Sequence, residues 1–198
     1  MSRPHTSRKK SARDEAFWIL DQKQLQCLAS PVRQDILDRL ASSGPMSARD
    51  LAEALSLNPT ALYRHLEILQ TAKLVLKTGA RLRNRRTETL YAVPARRLLL
   101  EKAFENPRNA SVLAKIMSAM TRQLDRDASR SLAAGTGVTS GPHRNLGFAR
   151  RVGAPNAKDL ATINLKLAEI SAILRNGDQR SGDIISLGWV MAPGGGER

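Results

Sequence analysis

The sequence predicts a mainly α chain with a small β wing, followed by a helical C-terminal extension that closes in a strand. Three observations carry this expectation. Apolar residues recur at helical spacing between cap signals from Ala16 to Ala72. The composition then turns apolar, β-branched and aromatic around Leu74 to Val93. Helical spacing returns afterwards, broken by a glycine-rich stretch.

Taken in order, Phe17, Leu20, Leu25 and Leu28 predict a first helix ending near Ala29. Ser30 and Pro31 place an N-cap and a proline at the start of a second helix. Val32, Ile36, Leu37 and Leu40 continue it to the break at Ser42, Ser43, Gly44 and Pro45. Ser47 opens a third helix as a capping box with Asp50, since hydroxyl and carboxylate satisfy amides that a first helical turn leaves unbonded. Leu51, Ala52 and Leu55 form its apolar stripe. After Ser56 and Leu57, Asn58 caps a fourth helix that starts at Pro59 and runs to about Ala72. Leu74 to Leu76 and Thr89 to Val93 predict strands around a loop rich in Gly, Arg and Asn, and Pro94 stops the second strand.

Arg96 to Phe104 predicts a short helix. Beyond Asn106 and Pro107, a longer helix carries Leu113, Ile116, Met117, Met120 and Leu124 on one side. Residues 135–155 hold five glycines and two prolines and read as a linker longer than an ordinary connection. A helix over about 156–175 and a strand from Ile184 to Met191 complete the chain. The expected organisation is a basic disordered arm (1–15), a compact domain (16–97), a helical segment (98–134), the linker (135–155), a helix plus strand (156–192) and a disordered tail (193–198).

Composition narrows the function classes. Of 198 residues, 41% are hydrophobic, enough to pack a core, and Lys plus Arg exceed Asp plus Glu by 32 to 18, a net charge of +14. Such an excess points to a polyanionic partner. A single cysteine, Cys27, allows no internal disulfide and no thiolate metal cage, and on its helix it reads as a small buried hydrophobe. His5, His65 and His143 are scattered without metal-ligand spacing, and His65 falls on the apolar side of its helix. Asp125 and Asp127 sit among Arg122, Arg126 and Arg130 as a salt-bridged face, and residues 135–141 lack the spacing of a phosphate-binding loop. No run approaches a membrane span and no apolar segment follows the basic N-terminus, so the expectation is a cytoplasmic protein with no metal, no cofactor and no enzymatic activity.

The fourth helix carries the functional signal. On a helical wheel, Thr60, Tyr63, Arg64, Glu67 and Gln70 share one sector, and Ala61, Leu62, Leu66, Ile68 and Leu69 occupy the other side. One face anchors in a core while the other presents hydrogen-bonding side chains, which is what reading a DNA major groove requires. Lys73, Lys77, Arg81, Arg83, Arg85 and Arg86 then fall in the predicted hairpin with no acid before Glu88, a concentration that calls for phosphates. The candidate backbone contacts are Ser47, Lys77, Arg81, Arg83, Arg85 and Arg86. Helix, short turn, polar-faced helix and hairpin together make a much rarer combination than an ordinary amphipathic surface helix.

At these residues the chain resembles the ArsR-like winged helix-turn-helix transcriptional regulators. The matching stretches are Leu28 to Arg33 with Ile36 and Leu37, Leu51 to Leu55, Leu57 to Leu66, and Leu69 with Leu74 and Val75; the Arg-rich turn with Leu90 and Tyr91 is similar to that family's wing. The resemblance covers roughly residues 20–97. It implies a homodimer on a palindromic double-stranded DNA operator, acting as a repressor, with Asn58, Thr60, Tyr63 and Arg64 toward the major groove and Arg83, Arg85 and Arg86 on the wing. Two departures stand out. Ser56 occupies the turn where the family often has glycine, and the paired cysteines of metal-sensing members are missing.

In the C-terminal half, Leu160, Ile163, Leu167, Ile170 and Leu174 repeat at heptad spacing over about two heptads. Dimerisation and binding of an unidentified small-molecule effector are the two roles open to it. Two other readings share the charge: an RNA-binding or ribosome-associated basic protein, and a winged-helix protein–protein interaction module.

Overall fold

The computed structural model describes residues 16–176 and 184–194. The expected arm at 1–15 lies outside the described residues, as does most of the expected tail.

The chain divides into two compact units, the first running through Ile116 and the second from Met117. The first unit opens with a short strand, β1 (Ala16–Trp18), and helices α1 (Gln22–Leu28) and α2 (Pro31–Ser43). Strand β2 (Met46–Ser47) leads into α3 (Ala48–Ala54) and α4 (Pro59–Thr71). The hairpin β3 (Leu76–Arg83) and β4 (Arg86–Ala92) is followed by β5 (Arg97–Leu99), two 3-10 turns, and α5 (Ala110–Ala134), inside which the two units divide.

Caps define the helices. The Asp21 carboxylate accepts the Lys23 amide at 2.7 Å and so starts α1. Arg33 and Gln34 of α2 finish that helix: Arg33 Nε donates to the Cys27 carbonyl at 2.7 Å and Gln34 Nε2 to the Leu28 carbonyl at 2.5 Å. The Ser30 side chain makes no cap bond, and the start of α2 rests on Pro31. Gly44, with φ +79°, ends α2 in the conformation that favours glycine.

Leu25 and Leu28 of α1, Ile36, Leu37 and Leu40 of α2, Leu51 and Ala52 of α3, and Leu62, Leu66 and Leu69 of α4 form one buried cluster with Leu74, Val75 and Tyr91. Ile19, Ala103 and Leu113 join it, so this core extends past residue 97 into the first turns of α5.

Several expectations are corrected. Phe17 lies on a strand, not in the first helix, because β1 pairs in parallel with β5, Ala16 opposite Arg97 and Trp18 opposite Leu99. That pairing uses part of the segment expected as a helix at Arg96 to Phe104; the remainder is a 3-10 turn, Glu101–Glu105. Leu74 and Val75 are core residues ahead of the hairpin. The strands run through the Arg-rich segment expected as a loop, leaving only Asn84 and Arg85 between them.

The second unit holds the rest of α5 and helix α6 (Ala157–Asn176). Residues 135–155 contain no helix or strand, and Val138 and Asn145 close a local loop through a side-chain bond of 2.7 Å and a backbone bond of 2.9 Å. Ile184 to Met191 forms no strand. These residues take no sheet partner among the described residues, and Ile184, Leu187 and Val190 are exposed. A strand needs a neighbour to satisfy its amides and carbonyls, and the described residues of this half, helix and coil, supply none. No described helix is long and apolar enough to cross a membrane.

Candidate nucleic-acid interface

The turn between α3 and α4 is tight. Ser47 Oγ accepts the Asp50 amide at 3.2 Å to start α3, and Asn58 Oδ1 accepts the Thr60 amide at 2.8 Å to start α4. Ser56 makes the reversal possible by adopting φ +52°, the left-handed region expected of glycine at this point. The Leu57 amide then returns to the Ala52 carbonyl at 2.9 Å.

Helix α4 divides as its sequence requires. Leu62, Leu66 and Leu69 are buried, while Asn58, Thr60, Arg64 and Glu67 are exposed and Tyr63 keeps 57% of its surface in solvent. Two positions depart from the wheel: Ala61 is exposed, and Gln70 is half-buried with its amide bonded to the Leu66 carbonyl. His65 lies partly buried, with Nδ1 unpartnered. Burial lowers its pKa, and the charges of Arg33 and Arg64 push the same way, so the neutral ring is favoured.

The wing is a three-stranded sheet in the order β2-β4-β3, antiparallel throughout. A bulge between Lys77 and Gly79 shifts the register near its base. At the tip, Asn84 and Arg85 both have positive φ, +49° and +61°, as a two-residue type I′ turn demands. Asparagine suits the first position. Arginine at the second occupies a place that favours glycine.

The wing cations do not share one fate. Arg81 stands opposite Glu88 in the ladder and donates to it from Nε at 2.9 Å and Nη2 at 2.8 Å. The same Nη2 reaches Asp50 Oδ2 at 2.5 Å and Ser47 Oγ at 3.3 Å, and Arg83 Nη1 reaches Asp50 Oδ1 at 2.9 Å. Partial burial pushes the Asp50 carboxyl up, but hydrogen bonding with Ser47 and the Arg81 charge outweigh it and hold it below the usual carboxylate range. Bonding to Glu88, aided by Asp50, holds Arg81 more firmly protonated against the opposing effect of desolvation. Among the described residues, Lys77, Arg85 and Arg86 enter no ion pair.

Ser47 is therefore corrected as a backbone contact. It is 1% exposed, and its hydroxyl serves the α3 cap and Arg81 instead of the surface. The roles of Asp50 and Glu88 beside the arginines were missed from sequence. The available signal was the strand pairing, because a two-residue turn at Asn84 and Arg85 places Glu88 across from Arg81.

A family profile described as a helix-turn-helix domain matches residues 28–78. Residues 28–78 are a helix-turn-helix domain. With the hairpin it becomes a winged helix-turn-helix fold. No curated protein matches the chain. Among solved structures, the chain is similar to an apo mutant of ZitR from Lactococcus lactis at 17% identity and TM-score 0.31, over 73% of this chain and 82% of that one. It is similar to the adhesin competence repressor AdcR from Streptococcus pyogenes at 16% identity and TM-score 0.30, over 73% and 80%. A transcriptional regulator from Thermotoga maritima gives 13% identity and TM-score 0.32, over 74% and 76%. With likeness this partial, the assignment rests on the matched segment and on the geometry of the helix-turn-helix domain, an architecture that docks its second helix in the DNA major groove.

Proposed function

We propose that this chain is a sequence-specific, double-stranded DNA-binding transcriptional regulator. It acts as a homodimeric repressor of the ArsR-like type, lacks a cysteine metal site, and takes its signal from a small-molecule effector or none. The observation that carries the reading is the free polar face of α4, with Asn58, Thr60, Tyr63 and Arg64 exposed, in one domain with a wing whose Lys77, Arg85 and Arg86 have no carboxylate partner among the described residues. In this reading α4 supplies selectivity and the wing tip supplies salt-sensitive affinity, because base edges carry sequence information and phosphates do not.

Selection of bound fragments from the source genome gives the operator for the test. Arg64→Ala is expected to weaken operator binding more than binding to random duplex, by about 1–3 kcal/mol if it reads a base. Arg85→Ala with Arg86→Ala is expected to weaken both duplexes alike and to flatten the salt dependence by roughly 0.9 per lost phosphate contact. Footprints are expected to cover two half-sites about 34–36 Å apart. Equal losses on both duplexes for Arg64→Ala remove α4 as the reading element, and a preference for structured RNA over duplex DNA overturns the proposal.

A further inference from the structure

We propose that Asp50 is the positioning residue of the wing: it ties Arg81 and Arg83 to the start of α3 and, together with Glu88, draws their charge away from DNA phosphates. Phosphate contact by the hairpin then falls to Lys77, Arg85 and Arg86. The inference rests on the DNA-binding reading above and gives it a division of labour within the wing.

The geometry supplies the reason. Arg81 and Arg83 are two residues apart on β3 and so leave the same face of the sheet. Asp50 meets both, one oxygen to each, at 2.5 and 2.9 Å, while Glu88 holds Arg81 a second time from the neighbouring strand. Two cations and two carboxylates make this cluster neutral. Both carboxylates are half-buried, with side-chain exposures of 21% for Asp50 and 17% for Glu88, so solvent screens them somewhat less than an open surface pair. A phosphate approaching Arg83 competes with Asp50 for a guanidinium whose Nη1 is already engaged. At the tip no carboxylate among the described residues competes, and Arg85 is held there in a backbone conformation that costs a non-glycine residue energy. Asp50 also links sequence-distant parts of the interface: it lies in the first turn of α3, the helix that precedes the reading helix, and it grips the hairpin that flanks it.

The test compares Asp50→Asn with Asp125→Asn in the full chain. Both changes remove one negative charge, and Asp125 is exposed on the part of α5 that belongs to the second unit. Two readouts are taken: amide hydrogen exchange of β3 and β4, and the salt dependence of binding to a mixed-sequence duplex. Asp50→Asn is expected to speed wing exchange and to free about one guanidinium per protomer. Its affinity relative to wild type then changes about 3-fold more per protomer between roughly 50 and 200 mM salt. Asp125→Asn moves neither readout, and Asp50→Glu returns both toward wild type. Unchanged wing exchange overturns the tie. A salt dependence equal to that of Asp125→Asn overturns the withdrawal of charge. A wild-type chain without duplex affinity overturns the DNA reading and that withdrawal with it, while the exchange rates still decide whether Asp50 holds the wing.

Discussion

Individual residues in this domain sit in backbone conformations that their side chains do not favour, and each departure has a local explanation. Ser56 at φ +52° closes the turn between α3 and α4, and Lys73 at φ +58° ends α4, where the Leu74 amide returns to the Leu69 carbonyl at 2.9 Å. Ser56 is exposed, so its side chain gives little back for the strain. Ser56→Gly is expected to raise stability by about 0.5–1 kcal/mol, read as a higher denaturation midpoint with an unchanged slope. Duplex binding serves as the check that the turn keeps its shape. Cys27 shows the opposite balance. It is buried, burial raises its thiol pKa even though Arg33 opposes the rise, and it behaves as the apolar core residue its neighbours suggested.

At the scale of elements, legibility followed the range of the interactions that define each piece. The starts of α2, α3 and α4 were readable because caps and proline act within a few residues, as Ser47, Asn58 and Pro59 do here. β1 was not readable, because Phe17 has helical spacing to Leu20 and only the distant Arg97–Leu99 segment makes it a strand. The exposed face of α4 followed from periodicity. The pairing of Arg81 and Arg83 with Asp50 did not, since 31 and 33 residues separate the partners. The hairpin shows the same tension between local preference and use. Its second turn position favours glycine and holds arginine. Arg85→Gly is expected to stabilise the fold by about 1 kcal/mol or less, seen in denaturant unfolding, while weakening duplex binding and flattening its salt response. Loss of stability in that variant refutes the strain, and unchanged binding refutes the contact.

Over the whole molecule, the core is wider than the segment that carries the helix-turn-helix signature. Ile19 and Leu25 before residue 28, and Tyr91, Ala103 and Leu113 after residue 78, belong to the same buried cluster as Leu62 and Leu66. A fragment of residues 28–78 is therefore expected to lack a cooperative thermal transition, whereas residues 16–116 are expected to melt cooperatively. Circular dichroism on the two fragments decides this, and a cooperative melt from the shorter one contradicts it. The second unit was read less fully. In it the heptad residues Leu160, Ile163, Ile170 and Leu174 of α6 are exposed, and the expected strand at Ile184 to Met191 is absent.

The two-residue reversal at Asn84 and Arg85 leaves the hairpin no slack. Adding or removing one amino acid on β3 between the bulge and Arg81 would turn Leu82 to the side now held by Arg81 and Arg83, sending a greasy group toward Asp50 and the guanidiniums to the far side. Tip chemistry is thus open to exchange, one side chain for another, while the length of the arms is locked.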